Sequence, residues 1–129
     1  LSMFFITAQN TVALTRVDSR ETARAWIDAE LPAGARFAIE SYSPYVDPQK
    51  FSVQGLYKLT DHPPEWYIEN GFQYLVFSER MFRRFYLDPL SFGAEIAAYE
   101  ALFHAFEPTR RFTDGGYEVL IYKVPTPDQ

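Results

Sequence analysis

The stretch Gly71-Phe72-Gln73-Tyr74-Leu75-Val76-Phe77-Ser78 decides the fold. Its centre, Tyr74 to Phe77, is a run of four apolar residues without the alternation of a half-exposed strand. Such a run, preceded by the turn signal Asn70-Gly71, is typical of a strand that is covered on both faces. The sequence therefore predicts a central sheet packed between helices, which is the plan of an α/β domain.

A helix and a strand are predicted upstream of this run. Asp18 to Glu21 has the pattern of a helix start, with Asp18 as N-cap and Glu21 completing an acidic capping box. Pro32 predicts that the helix ends near Glu30, because the residue before a proline avoids the α region. Arg36 to Glu40 follows as a short strand, and Phe51 to Tyr57 is a second candidate strand.

Further helices and a terminal hairpin are predicted around and beyond the central run. Asp61 to Glu65 predicts a helix start with proline in the first turn. Arg80 to Tyr86 predicts a short helix, and Asp88 or Ser91 is the expected cap of a longer one that Pro108 ends. The longer helix has a single apolar stripe, which consists of Phe92, Ile96, Tyr99, Phe103 and Phe106. The hairpin that follows has a first strand, a turn and a second strand, which are Arg111-Phe112, Asp114-Gly115-Gly116 and Glu118 to Val124.

This order predicts a Rossmann-like three-layer α/β domain, whose central sheet is mostly parallel and ends in an antiparallel C-terminal hairpin. We expect residues 18–124 to form one domain, residues 1–17 an N-terminal arm, and residues 125–129 a tail. The apolar opening Leu1 to Ala8 is too short to span a bilayer. We expect the arm to follow a membrane helix, with a buried strand as the alternative.

Composition excludes several classes of function. The formal net charge is −5, which argues against nucleic acid as a partner because such binding needs a basic face. The chain has no cysteine, so thiolate catalysis and cysteine-based metal sites are excluded. With 47 % apolar and 18 % aromatic residues, a core rich in large rings is expected.

No motif of catalysis or cofactor binding is present in the sequence. It has no glycine-rich phosphate loop, nucleophile elbow or HExxH pattern. His62 and His104 lie on different predicted elements, so neither has the spacing of a metal ligand pair. The carboxylates fit helix starts and solvated loops. We therefore predict no catalytic residue, no metal and no cofactor.

One place remains a candidate binding site. In open α/β sheets, ligands bind beyond the carboxyl ends of the strands. The residues expected there are polar, and they are Glu40, Ser41, Tyr42, Ser78 and Arg80. They predict a shallow binding crevice, although loops after strands are generally polar, which leaves an ordinary surface as the alternative.

The run Arg80 to Tyr86 mixes basic and aromatic residues. One interpretation is contact with a membrane surface or with phosphate groups. The other is an amphipathic turn, with its rings in the core and its arginines in water.

Four segments in order resemble the C-terminal soluble domain of bacterial multi-spanning glycosyltransferases of the family-39, protein-mannosyltransferase-like type, which are related to the aminoarabinose transferase of lipid A. The resemblance covers residues 18–124. The segments are Asp18 to Ile27 with Leu31-Pro32-Ala33-Gly34; Gly71 to Ser78; Tyr99-Glu100-Ala101-Leu102-Phe103; and Glu118 to Val124.

The resemblance implies an accessory domain rather than an enzyme by itself, with the role of covering the membrane active site or of helping to bind an acceptor or a partner. In such proteins a membrane domain takes the sugar from a polyprenyl-phosphate carrier, and its catalytic acid has no counterpart in this chain. The implied location is extracytoplasmic, tethered to the membrane. The implied partners are the membrane portion of the same parent chain and a lipid-linked sugar or its acceptor.

Two alternatives stay open at this point. One is a free-standing Rossmann-like module for a small ligand or nucleotide, which lacks the expected glycine-rich turn after the first strand. The other is a protein-interaction domain that presents part of its aromatic excess at the surface.

Overall fold

A computed structural model describes residues 18–126. The predicted arm 1–17 lies outside the described residues, as does the tail beyond residue 126. The elements in chain order are α1 Ser19–Glu30, β1 Arg36–Glu40, β2 Ser52–Leu56, a 3₁₀ turn Leu59–Asp61, α2 Pro64–Glu69, β3 Tyr74–Ser78, α3 Glu79–Tyr86, α4 Gly93–Ala105, β4 Glu107–Phe112 and β5 Val119–Lys123.

The five strands form one mixed sheet in the order β2-β1-β3-β5-β4. β1 pairs in parallel with β2 and with β3. β5 runs antiparallel to β3, and β4 forms the antiparallel edge beside β5. The prediction of an α/β domain with a parallel first part and an antiparallel C-terminal hairpin is confirmed, since β4 and β5 are that hairpin.

Two hydrophobic clusters lie on opposite sides of the sheet, because successive strand residues point to opposite faces. On one side, called here the α1 face, Phe37 and Val76 pack with Ile27 of α1. On the other, called the α4 face, Leu75 and Phe77 pack with residues of α2, α3 and α4. All five residues of β3 are buried, as its unbroken apolar run predicts.

The first helix begins and ends where the sequence predicts, but its cap differs. The Asp18 side chain accepts a hydrogen bond from the Arg20 backbone N–H at 2.8 Å, so Asp18 is the N-cap. Glu21 does not complete a capping box, because its carboxylate pairs with Arg24 at 3.1 Å instead. The helix ends at Glu30, ahead of Pro32.

The start of α4 corrects the prediction. The helix begins at Gly93 with Phe92 in the N-cap position, where no side chain caps it. Asp88 and Ser91 do not cap it because they belong to a separate turn, in which the Ser91 N–H donates to the Asp88 carbonyl. The helix ends at Ala105, and Pro108 lies inside β4, an edge strand that tolerates a residue without an N–H.

Candidate functional site

The chain leaves β1 and β3 toward opposite faces of the sheet. After β1 it passes onto the α1 face, where Val46 and Phe51 join the hydrophobic cluster. After β3 it enters α3, whose Phe85 packs on the α4 face. Neighbouring parallel strands that exit in opposite directions leave a gap between their carboxyl ends, which is the usual place for a ligand in an α/β sheet.

A crevice of about 220 Å³ lies at this point. We call it the strand-end crevice. Three of the five predicted ligand candidates line it: Tyr42, Ser78 and Arg80. The other lining residues come from the start of α1 and from the turn between β4 and β5, and they are Asp18, Arg20, Gly115, Gly116 and Tyr117.

Arg80 is the cation of the crevice that has no acidic partner in residues 18–126. Its guanidinium carbon lies 4.9 Å from the ring centroid of Tyr42 and 5.7 Å from that of Tyr117. None of the salt bridges formed within the described residues includes it. Two aromatic rings therefore fix the guanidinium by cation–π contact while its N–H groups remain available.

The second cation of the crevice is already neutralised. Arg20 donates to the Asp18 carboxylate at 3.1 Å, and this hydrogen bond lowers the pKa of Asp18. The two side chains therefore screen each other at the rim. Because this pair is neutral as a whole, Arg80 supplies the net positive charge of the residues that line the crevice.

Tyr42 holds an unusual backbone conformation, with φ at +70°. This left-handed region is uncommon for residues other than glycine. Hydrogen bonds on both sides hold the turn: the Ser41 N–H donates to the Tyr57 carbonyl at 3.3 Å, and the Ser43 N–H to the Glu40 carbonyl at 3.2 Å. Strained residues of this kind cluster at ligand sites, and here the strain accompanies a ring that contacts Arg80.

The turn between β4 and β5 is fastened to the start of α1. The Ser19 N–H donates to the Gly115 carbonyl, and the Gly115 N–H donates to Ser19 Oγ, both at 2.9 Å. Gly116 has a φ of +78°, which a glycine adopts without strain. The sequence predicted this turn but gave no sign that it meets the strand ends, because the contact joins segments nearly a hundred residues apart.

Glu40 does not line the crevice; its side chain lies on the α4 face of the sheet, where it contacts Tyr99, and is only 2 % exposed. Its carboxylate accepts hydrogen bonds from the Leu59 N–H at 3.2 Å, the Ser78 N–H at 2.9 Å and the Tyr99 hydroxyl at 2.9 Å. Burial raises the pKa of Glu40 to about 7, against the opposing effect of these three donors. Ser41 is half-buried and is also outside the lining.

The described residues contain no cluster of three or more histidines, aspartates or glutamates that could hold a metal. His62 stacks on Trp66 with 3.6 Å between ring centroids. His104 Nδ1 lies 2.7 Å from the Glu100 carbonyl oxygen. No helix among residues 18–126 is long and apolar enough to cross a membrane.

Besides the Asp18–Arg20 ion pair and Ser78, which is almost fully buried, the crevice combines one open cation, two tyrosine rings and a glycine turn, a set suited to binding a small anionic group. A comparison with protein-family models, curated proteins and solved structures finds no match for this chain. The resemblance to glycosyltransferase domains therefore rests on the four sequence segments, and the evidence on ligand binding comes from the crevice.

Proposed function

We propose that the chain is an accessory extracytoplasmic domain of a polyprenyl-phosphate-sugar-dependent membrane glycosyltransferase. In this proposal its fold is Rossmann-like, and its strand-end crevice recognises an anionic group on the lipid-linked sugar or its acceptor. The parent protein in this proposal rests on the sequence resemblance, and the anion binding rests on Arg80, whose guanidinium contacts the rings of Tyr42 and Tyr117 at the point where β1 and β3 exit to opposite faces.

The ligand chemistry follows from the shape and charge of Arg80. A guanidinium offers a planar fork of N–H donors that matches two oxygens of a phosphate or carboxylate. The flanking rings restrict its rotation, so less entropy is lost when an anion binds. The volume of about 220 Å³ is below the range of about 300–1,000 Å³ for drug-sized ligands, which favours a single charged group over a whole nucleotide.

The crevice is built for recognition rather than reaction. Asp18 caps α1 and pairs with Arg20, and Glu40 is engaged by three donors beneath the surface. Neither carboxylate is poised as a base in the crevice. Sugar transfer then belongs to the membrane portion of the parent protein, as the sequence resemblance implies.

A second candidate is a free-standing Rossmann-like module that binds a small ligand through the same crevice. Its location at the strand ends favours this reading. The turn after β1, Ser41-Tyr42-Ser43-Pro44, has no glycine and so does not resemble a nucleotide-binding loop. The coding sequence upstream of Leu1 separates the two, because only the accessory domain requires a preceding run of membrane helices.

Calorimetry and thermal unfolding test the binding itself. The probes are inorganic phosphate, a hexose 1-phosphate, a short-chain polyprenyl phosphate and, as the uncharged reference, the free hexose. A phosphorylated probe at 100 times its Kd is expected to raise the free energy of unfolding by about 2.7 kcal/mol, and the free hexose is not. Arg80→Gln should weaken that binding by about tenfold or more, since it removes a charge-assisted contact.

Arg110→Gln is the matched control. Arg110 also stacks on two aromatic rings, Trp26 and Phe112, but it lies on the edge strand β4 away from the crevice. Its substitution should leave the affinity unchanged. No response to any phosphorylated probe, or equal losses in the two variants, would overturn the role given to the crevice.

A further inference from the structure

The short connection between α3 and α4 exposes three large apolar side chains. We call residues 87–92 the apolar loop. The side chain of Leu90 is 100 % exposed, Leu87 is 72 % exposed and Phe92 is 38 % exposed. Single exposed apolar residues are ordinary, but three within six residues form a patch, and patches of this kind mark sites of interaction.

Hydrogen bonds hold the apolar loop in a fixed turn. The Ser91 and Phe92 N–H groups both donate to the Asp88 carbonyl, at 3.2 Å and 3.0 Å, and the Asp88 N–H donates to the Phe85 carbonyl at 3.2 Å. Pro89 has no N–H to satisfy. The turn therefore presents Leu90 at its tip in a backbone conformation that these hydrogen bonds fix.

The base of the apolar loop is anchored in the core. The ring of Phe92 packs edge-on against Phe85, with 5.1 Å between centroids. Phe85 is itself buried in the cluster on the α4 face. Because the loop is fixed at its base and by its own turn, the exposure of Leu87 and Leu90 is a property of the fold.

Cations and a tyrosine border the apolar loop. Arg83 and Arg84 lie exposed in the last turn of α3, immediately before it, and the Arg83 guanidinium also lies 5.9 Å from the ring centroid of Tyr117 at the strand-end crevice. Arg84 donates to the hydroxyl of Tyr57 at 3.1 Å. The acids nearby are Asp88, inside the turn, and Glu95, which is paired with Lys58 at 3.0 Å.

We propose that the apolar loop docks on a bilayer containing anionic lipid, with Leu87 and Leu90 below the headgroups and with Arg83, Arg84 and Tyr57 among them. The charge pattern favours this partner: the chain carries a net charge of −5, yet two arginines in the last turn of α3 come just before its most exposed leucines. Apolar tips bordered by arginine and tyrosine are favoured at membrane interfaces. A bilayer also admits a protruding side chain without a matching pocket.

A single fluorescent label tests the depth of the loop. The chain has no cysteine, so Leu90→Cys provides a unique site for an environment-sensitive probe such as NBD. Vesicles of phosphatidylcholine with about 30 % phosphatidylglycerol should shift its emission to the blue, and pure phosphatidylcholine vesicles should do so less. The control is Tyr45→Cys, 67 % exposed in the loop on the α1 face, where no shift is expected.

Vesicle sedimentation gives the affinity of the unlabelled chain. Leu90→Ser should lower the partition coefficient by about tenfold or more, because it removes a whole leucine side chain from the apolar phase. Tyr45→Ser should leave it unchanged. The apolar stretch Leu1 to Ala8 can contribute binding of its own, so the difference between these two variants decides the result.

Three outcomes would overturn the proposal. One is equal vesicle binding by the two serine variants, and another is an equal blue shift at both labelled positions. The third is a blue shift at position 90 that grows with protein concentration in the absence of vesicles, because it would identify a second copy of the chain as the partner. The proposal stands or falls independently of what the strand-end crevice binds.

Discussion

The carboxyl ends of β1 and β3 lie side by side, yet the charged residues near them have opposite surroundings. Glu40, the last residue of β1, is buried and accepts three hydrogen bonds from the 3₁₀ turn, β3 and α4. Arg80, two residues beyond β3, is exposed, and its guanidinium contacts the rings of Tyr42 and Tyr117. Sequence position alone made both residues ligand candidates.

The difference shows how a structural charge is told from one that is available to a ligand. A buried carboxylate whose acceptor sites are filled joins elements of the fold, and its removal leaves donors without partners. The Arg80 guanidinium contacts two rings, and its N–H groups form no ion pair with an acid in the described part of the chain. It therefore contributes little to stability and is available to bind an anion. Substitutions at the two positions should therefore have opposite effects on stability and on binding.

The largest effect is expected for Glu40→Ala. It removes the acceptor of the Leu59 N–H, the Ser78 N–H and the Tyr99 hydroxyl, and it leaves a cavity among three elements. The free energy of unfolding should fall by about 4 kcal/mol, since each buried donor without a partner costs about 1–3 kcal/mol. Urea unfolding at pH 7 measures this, with the exposed Glu30→Ala as the control expected within about 0.5 kcal/mol of the parent.

A smaller effect is expected from pH, through the same carboxyl. Burial raises the pKa of Glu40 to about 7 from 4.5. Between these values the folded state keeps a proton that the unfolded state releases, so stability falls as pH rises. The contribution of Glu40 is fully present below pH 4.5, and about 3 kcal/mol of it is lost by pH 7.

Glu40→Gln isolates this dependence, because glutamine does not titrate and the other acids of the chain remain. Unfolding free energies of both proteins are measured from pH 4 to pH 8. The parent's advantage over the variant should shrink as pH rises through the window from 4.5 to 7. A constant difference across that window would show that Glu40 is ionised throughout, and its burial would then need another explanation.

The fold was largely predictable because its signals are local. The buried run of β3, Pro32 after α1, the proline in the first turn of α2 and the glycines before β5 each act within a few residues. The predicted cap of α4 was wrong because a local signal was interpreted without its neighbouring turn. Asp88 and Ser91 are residue types that often cap helices, but here they form a separate turn before α4, in which the Ser91 N–H donates to the Asp88 carbonyl.

The site was only partly predictable because its geometry is not local. Tyr42, Ser78 and Arg80 were found by the rule that ligands bind beyond strand ends. That rule cannot separate Glu40 from them, because strand alternation fixes the face on which its side chain lies, whereas its burial depends on the 3₁₀ turn and α4 packed on that face. Tyr117 and Gly115 join the crevice through pairing of β5 with β3, which no pattern in the sequence specifies.

The smallest effect on stability is expected for Arg80→Gln, and it tests the other side of the comparison. Because Arg80 is exposed and its partners are two rings at the surface, its loss should lower the free energy of unfolding by no more than about 1 kcal/mol, the upper value for an exposed cation–π contact. Arg36→Gln is the matched control with a structural arginine. Arg36 donates to the Asn70 carbonyl at 3.0 Å and to Ser52 Oγ at 3.2 Å, and it lies 4.1 Å from the Phe72 ring centroid.

Urea unfolding of the two glutamine variants at pH 7 should place Arg36→Gln about 1–2 kcal/mol below the parent, since it loses two hydrogen bonds and a cation–π contact. Arg80→Gln should lie closer to the parent, no more than about 1 kcal/mol below it. If Arg80→Gln were as destabilising as Arg36→Gln, Arg80 would be a structural residue like Glu40. The contrast between the ends of β1 and β3 would then disappear, and the crevice would lose the free cation on which its proposed anion binding depends.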